Sequence, residues 1–319
     1  VGGVALAVLV SAFVGAAAIR FGPRLGFVDR PDGVLKPHQE PAVPLGGIGI
    51  FAAVHLAMAL EDRFDPGLLA ASGMLLALGL IDDRRPLSSR LRLVVETAAG
   101  VVLALTADLR GVDRNVAGVV LVVILIVVAV NAVNLLDGLD GLAGSSALVA
   151  AVGTSLLAGM RDTGMVFGLI LAAALAGFLV WNWPRARVFL GDNGAYAVAM
   201  FLAYGFLGAT PRASELAVLI AAGLLGVFAV DLAVTLIRRR LAGRPLFAGD
   251  RSHVYDQLRD RGMTVAQVAV TFAAGQVAIA GLVVVVDELV PPVTAIVVLA
   301  VAFIGIVFAL GRAGFVSRA

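Results

Sequence analysis

Long apolar runs alternate with short polar breaks along the whole chain. Apolar stretches fall near 1–19, 46–60, 67–81, 91–107, 116–134, 144–160, 164–182, 194–210, 214–236, 264–286 and 292–311. A helix crossing a bilayer needs about 17–25 predominantly apolar residues. The pattern therefore predicts an all-α polytopic integral membrane protein with about eleven transmembrane helices. Ten is the alternative count, because the second and third stretches are short. The first run is not read as a cleaved signal peptide. Its positive charges, Arg20 and Arg24, follow the apolar segment, whereas a signal peptide carries them in front.

Charge placement orients the stack. Of 24 Lys and Arg residues, 19 fall in one alternating set of connections: 20–45, 82–92, 135–143, 183–193, 237–263 and the C-terminal tail. The other set carries Arg63, Arg110, Arg114, Arg161 and Arg212. Positive residues favour the cytoplasmic side. This predicts an outside N-terminus, a cytoplasmic C-terminus and cytoplasmic loops near 21–45, 82–92, 135–143, 183–193 and 237–263. Residues 1–319 read as a single membrane-embedded domain.

Composition agrees with a lipid setting. The 319 residues are 61% hydrophobic and 14% charged, against about 45–50% and 25% in soluble domains. That excludes a cytosolic enzyme, a secreted domain and a disordered chain. With no Cys, disulfides and thiol chemistry are excluded too. The 37 glycines suit close helix packing in lipid; they are compatible with a homodimer but mark no interface. Nothing in the pattern calls for a nucleic acid.

The carboxylates are unevenly placed. The outer connections (E-D-R-F-D-P, A-D-L-R-G-V-D-R-N, G-M-R-D-T-G) read as solvated caps. The predicted cytoplasmic helix ends hold Asp29, Asp82-Asp83, Asp137 with Asp140, Asp192 and Asp250. Asp82-Asp83 closes an apolar helix, against the helix dipole. Either Arg84 and Arg85 pair with them, or they form a divalent-cation or proton-transfer site. In N-A-V-N-L-L-D-G-L-D-G-L, Asn131, Asn134 and Asp137 share one helical face at three-residue spacing. Such polar groups at membrane depth are costly. They read as a ligand-binding ladder or as a pin between two helices.

Asp192, in F-L-G-D-N-G, either caps a helix start or holds Mg²⁺ against a phosphate. Phe189 is a packing residue or a stacking platform. Asp231 lies inside a span and is a site candidate by that fact. Glu96 is expected to pair with Arg92, and His55 to be packing without an evident partner. Loop 237–263 carries seven Arg and H-V-Y-D at 253–256, which suits an anionic, phosphate-bearing substrate.

Five motifs occur in order: V-D-R-P…K-P-H…P-L-G-G (28–47), G-L-I-D-D (79–83), N-A-V-N-L-L-D-G-L-D-G-L-A (131–143), N-W-P…V-F-L-G-D-N-G (182–194) and D-R-S-H (250–253). In these the chain resembles the polyprenyl-phosphate N-acetylhexosamine-1-phosphate transferases. The resemblance implies transfer of a sugar-1-phosphate from a UDP-N-acetylhexosamine to membrane polyprenyl phosphate, undecaprenyl or decaprenyl. The products would be UMP and a lipid-linked diphosphate sugar, at the cytoplasmic side of a bacterial inner membrane, as the first membrane step of a cell-envelope glycan pathway.

It also implies Mg²⁺, with Mn²⁺ as an alternative, held by Asp192 and Asp83. Asp82, Asp83, Asp29 and His253 take catalytic roles. Asn134, Asp137, Asp140, Asn182, Phe189, Lys36, His38, Arg251 and Asp231 take substrate contacts. One departure stands out. Much of the family has His-x-His-His where this chain has His253-Val254-Tyr255-Asp256, so the donor sugar stays unnamed; a similar pattern occurs in the branch that uses modified N-acetylhexosamines. The competing reading is a secondary transporter, which would place its carboxylates near the membrane midplane.

Overall fold

The structure, a computed structural model, describes residues 1–29, 42–211, 214–245 and 252–316. Every described regular element is helical: α1 (Gly2–Phe21), α2 (Gly46–Leu60), α3 (Pro66–Asp82), α4 (Ser89–Thr106), α5 (Val116–Leu136), α6 (Leu142–Met160), α7 (Val166–Asn182), α8 (Gly191–Gly208), α9 (Glu215–Ala222), α10 (Gly226–Leu241), α11 (Val254–Asp260), α12 (Val265–Leu289) and α13 (Pro292–Arg312). Each predicted apolar stretch is helical, 214–236 as two helices, α9 and α10. Among the described residues, six segments are long and apolar enough to cross a membrane, α9 and α10 counting as one, and α2, α3 and α7 are shorter apolar helices. The chain is a multi-pass membrane protein.

The starts of several helices follow local rules. Asp65 caps α3, its Oδ1 accepting from the backbone N–H of Gly67 and Leu68. Ser88 and Asn115 cap α4 and α5 in the same way. Such side chains satisfy N–H groups that have no partner in the first turn.

Burial is inverted relative to a soluble protein. Large apolar side chains such as Phe13, Ile124, Val277, Val301, Ile304 and Phe308 are exposed, as a lipid-facing perimeter requires. α8 lies at the centre, packed by α2, α3, α5 and α6, and its residues Asn193–Ala203 are all buried. α13 lies at the edge, with only Ala295 buried.

Three expectations are corrected. The outer connections are not all solvated caps. Asp65 is buried and also accepts from the Asp108 N–H and the Tyr204 hydroxyl. Arg161 pairs with Asp287 and donates to the Ala209 and Ala217 carbonyls. His55 does have a partner, its Nε2 standing 3.0 Å from Ser72 Oγ. Arg92 donates to Asp82, while Glu96 accepts from Asn131 Nδ2 at 2.8 Å.

One span is broken. Between α9 and α10 the chain makes a 3₁₀ turn over Gly223–Leu225, and Gly226 has φ +39°. Gln276 of α12 repairs the gap. Its Oε1 accepts from Val227 N–H at 3.0 Å and its Nε2 donates to the Leu224 carbonyl at 2.8 Å.

Candidate active site

Helix ends far apart in sequence meet at one end of the bundle around a cavity of about 550 Å³. Asp29, Asp83, Asp137, Asp140 and Asp192 line it together with Asn134, Asn182 and Phe189. Asp256, Arg259 and Asp260 of α11 form a further part of the wall. The loop ends predicted to share a side of the membrane thus do share one cavity.

The backbone sets each wall. Asp29 and Ala42 exchange hydrogen bonds of 2.8 and 3.1 Å. Val43 N–H donates to the Arg187 carbonyl, and the Val43 carbonyl accepts from Phe189 N–H at 3.0 Å. This three-segment braid places Phe189 at the cavity. Gly191, at φ +70°, turns the chain from the braid into α8 in a conformation that L side chains rarely adopt.

Asp83 holds the start of α8. Its Oδ1 accepts from the Asp192 N–H at 2.9 Å, and its Oδ2 from the Asn193 N–H and side-chain Nδ2 at 3.2 and 2.6 Å. These donors are among the first-turn N–H groups that lack helical partners. Asn193 Nδ2 also donates to the Pro44 carbonyl at 2.8 Å. Asn134 Nδ2 donates to Asp192 Oδ1 at 2.6 Å, which fixes that carboxylate toward α5. α3 and α8 touch here: a Cβ on Gly79 would lie 2.3 Å from the Asn193 N and Cα.

Asn182 staples the loops. Its Oδ1 accepts from Gly141 N–H at 2.8 Å and its Nδ2 donates to the Val188 carbonyl at 2.9 Å. Asp140 accepts from Ala186 N–H at 2.9 Å.

The electrostatics favour a cation. Burial, then the carboxylates of Asp192, Asp83 and Asp140, push the Asp137 carboxyl well above its ordinary range. Burial also pushes Asp83 up, while its bonds from Asn193 and the backbone hold it down. Clustered carboxylates are relieved by a divalent ion. Among the described residues no three acidic or His side chains form a closed metal cage. Mg²⁺ does not need one, since it is held by one or two carboxylates plus substrate phosphates. After its three bonds, Asp83 keeps one lone pair on Oδ1. The carboxylate oxygens of Asp192 and the remaining lone pair of Asp83 fit a Mg²⁺ ion whose other ligands are substrate phosphates and water.

Three predicted site residues lie apart from the cavity wall. Asp82 is buried and accepts from Leu87 N–H at 2.6 Å, Tyr196 hydroxyl at 2.9 Å and Arg92 at 3.3 Å. Arg84, which one of the two readings of Asp82-Asp83 made a partner, lies over the Phe27 ring. Asp231 and His253 are buried together, 2.8 Å apart. Lys36, His38 and Arg251 fall outside the described residues. Sequence reasoning assigned no role to Asn193, Tyr196, Asp256 or Asp260, and took Arg259 only as one of the seven Arg of its loop. Asn193, in the D-N-G turn, and Asp256, in H-V-Y-D, both sat within motifs already singled out.

Known proteins resemble the segments that build this cavity. Residues 66–209 match glycosyl transferase family 4, a segment holding Asp82, Asp83, Asn134, Asp137, Asp140, Asn182, Phe189 and Asp192. The undecaprenyl-phosphate alpha-N-acetylglucosaminyl 1-phosphate transferase of Salmonella typhi is 28% identical over 92% of this chain and 86% of its own. Its Escherichia coli K12 counterpart is 26% identical over the same shares. A probable undecaprenyl-phosphate N-acetylglucosaminyl 1-phosphate transferase of Bacillus subtilis is 26% identical over 77% of this chain and 73% of its own. The matched segment carries most of the cavity's carboxylates, and the similarity to these relatives runs well beyond it: over residues 66–209 the chain is similar to glycosyl transferase family 4.

Proposed function

We propose that this protein transfers an N-acetylhexosamine-1-phosphate from a UDP-sugar to membrane polyprenyl phosphate. The observation that carries the reading is the convergence of Asp83, Asp137, Asp140 and Asp192 on one cavity at the ends of apolar helices. The names of the relatives support a lipid phosphate acceptor and an N-acetylglucosamine-type donor. The positive-inside pattern supports about eleven crossings and a cavity open to the cytoplasm. A bacterial inner membrane as the setting and a cell-envelope glycan pathway as the destination of the product are part of the same proposal.

In this reaction an oxygen of the lipid phosphate attacks the sugar-side phosphorus of the donor. The bond from that phosphorus to the bridging oxygen breaks, and UMP leaves with the electron pair. Both partners are anions, so alignment and charge neutralisation dominate the barrier. Bound Mg²⁺ would neutralise the diphosphate, with Asp192 and the remaining Asp83 lone pair as its protein ligands. Asp29 takes the last proton of the acceptor phosphate or orients it. Phe189 stacks on uracil, and Arg259 grips phosphate oxygens. Asp83 and Asn134 keep Asp192 in place. A transporter is the weaker reading, since the cavity's carboxylates sit at helix ends rather than mid-span.

The test is UMP release by purified protein in detergent with undecaprenyl phosphate and MgCl₂. The donor panel is UDP-N-acetylglucosamine, UDP-N-acetylgalactosamine and their deoxygenated analogues. Lipid-dependent release from one donor, lost in Asp192→Asn, is expected. Failure to bind both UMP and Mg²⁺ by folded protein would sink the proposal.

A further inference from the structure

Asp231 and Thr235 stand one turn apart on α10, on the same face. His253 Nδ1 lies 2.8 Å from Asp231 Oδ2 and 3.1 Å from Thr235 Oγ1. Asp231 Oδ1 accepts from the backbone N–H of Val254, the first residue of α11, at 3.0 Å. One carboxylate thus holds both the imidazole and a first-turn donor that has no helical partner. All of this is buried.

The ring of Tyr255 lies flat on that imidazole, with centroids 5.1 Å apart and planes 8° from parallel. Its hydroxyl donates to the Leu135 carbonyl at 3.2 Å. Leu135 is in the last turn of α5, where carbonyls also lack helical partners. On the other side of Asp137, a Cβ on Gly138 would stand 2.1 Å from the same hydroxyl oxygen. Tyr255 therefore touches the chain on both sides of Asp137. The next turn of α11 carries Asp256 and Arg259 to the same cavity.

The geometry points to Asp231, His253 and Tyr255 as positioning residues that lock α11 onto the end of α5 and so hold Asp137 in fixed relation to Asp256 and Arg259. His253 acts through Tyr255 rather than on the substrate. What the cavity binds rests on the proposed transferase reading; the lock itself does not.

Tyr255→Phe keeps the ring and its stack and removes only the hydroxyl. It is expected to raise the donor KM about fivefold, the order that one buried hydrogen bond supplies. Acceptor KM stays constant and kcat stays within about twofold. Asp231→Asn acts on the same lock, so the double variant is expected to be no worse than the more damaging single. A wild-type donor KM in Tyr255→Phe overturns the inference. So does a His253→Gln variant that loses kcat a hundredfold at unchanged KM, the mark of a group acting on the reaction.

A second readout needs no substrate. Hydrogen exchange in peptides spanning 133–139 is expected to rise in Tyr255→Phe at an unchanged melting temperature. Unchanged exchange there overturns the lock. If the wild type releases no UMP from any donor and fails to bind it, the transferase reading falls, and the exchange result still decides the lock.

Discussion

Replacing Gly79 by Ala tests the seam between α3 and α8. A Cβ at residue 79 would lie 2.3 Å from the backbone N and Cα of Asn193. Ordinary contact begins near 3.4 Å, so α8 would have to withdraw by about 1.1 Å, or the alanine be accommodated by bending α3. A withdrawal of that size along the line of the bonds would stretch the 2.9 Å contact from Asp192 N–H to Asp83 to about 4 Å, beyond hydrogen bonding. The overpacking costs about 1–3 kcal/mol, and each lost bond to the Asp83 carboxylate about 1.5–3 kcal/mol. Ala's higher helix propensity returns only about 1 kcal/mol. Asp192 would also move about 1 Å, a displacement that can lower turnover about a hundredfold.

Gly73, on the same helix, is the control. A Cβ there meets its nearest neighbour, Phe51 Cζ, only at 4.0 Å. Gly73→Ala is therefore expected to keep activity and to gain slightly in stability from propensity. Thermal unfolding in detergent and UMP release, measured on both variants side by side, make the comparison. If Gly79→Ala behaved like Gly73→Ala in both assays, the claim that the α3–α8 approach sets the site would be refuted.

Other outcomes follow from single contacts. Asp82→Asn is expected to lower the melting temperature together with activity, because Asp82 holds Arg92, Tyr196 and Leu87; Asp192→Asn is expected to abolish activity at nearly unchanged melting temperature. Phe189→Ala should weaken UMP binding by about 1–3 kcal/mol in calorimetry, the range for base stacking on an aromatic ring, whereas Phe189→Trp should retain it. Arg161→Ala leaves Asp287 mostly buried without its cation and should cost about 3–5 kcal/mol of stability, partly recovered when Asp287→Leu is added. Chelation with EDTA should stop UMP release, and added MgCl₂ should restore it.

The helices were legible because each is a continuous apolar run, and lipid leaves a chain few other ways to satisfy its backbone. The convergence of helix ends was legible from charge placement alone. Pairwise contacts were not. Asp82 and Asp83 are adjacent and chemically alike, yet one faces Arg92 and Tyr196 while the other binds the start of α8. That division comes from packing against α4 and α8, which no local pattern encodes. Asp231 and His253 are separated by 22 residues, so a buried Asp and a loop His read as two independent site candidates. The outer Asp65 looked like any exposed cap, because its partners Tyr204 and Asp108 come from distant segments.

The break at Gly223–Gly226 bears on how the chain assembles. A span with freed backbone groups is costly in lipid, several kcal/mol for each group left without a partner. The partner here is Gln276, which lies 49 residues beyond Val227 and emerges only after the span itself has been made. While α12 is still unmade, an unbroken helix over 215–241 satisfies its own backbone better than the broken form does. The geometry predicts that the bend forms only when α12 docks, and that Gln276→Leu leaves this segment biased toward a straight helix.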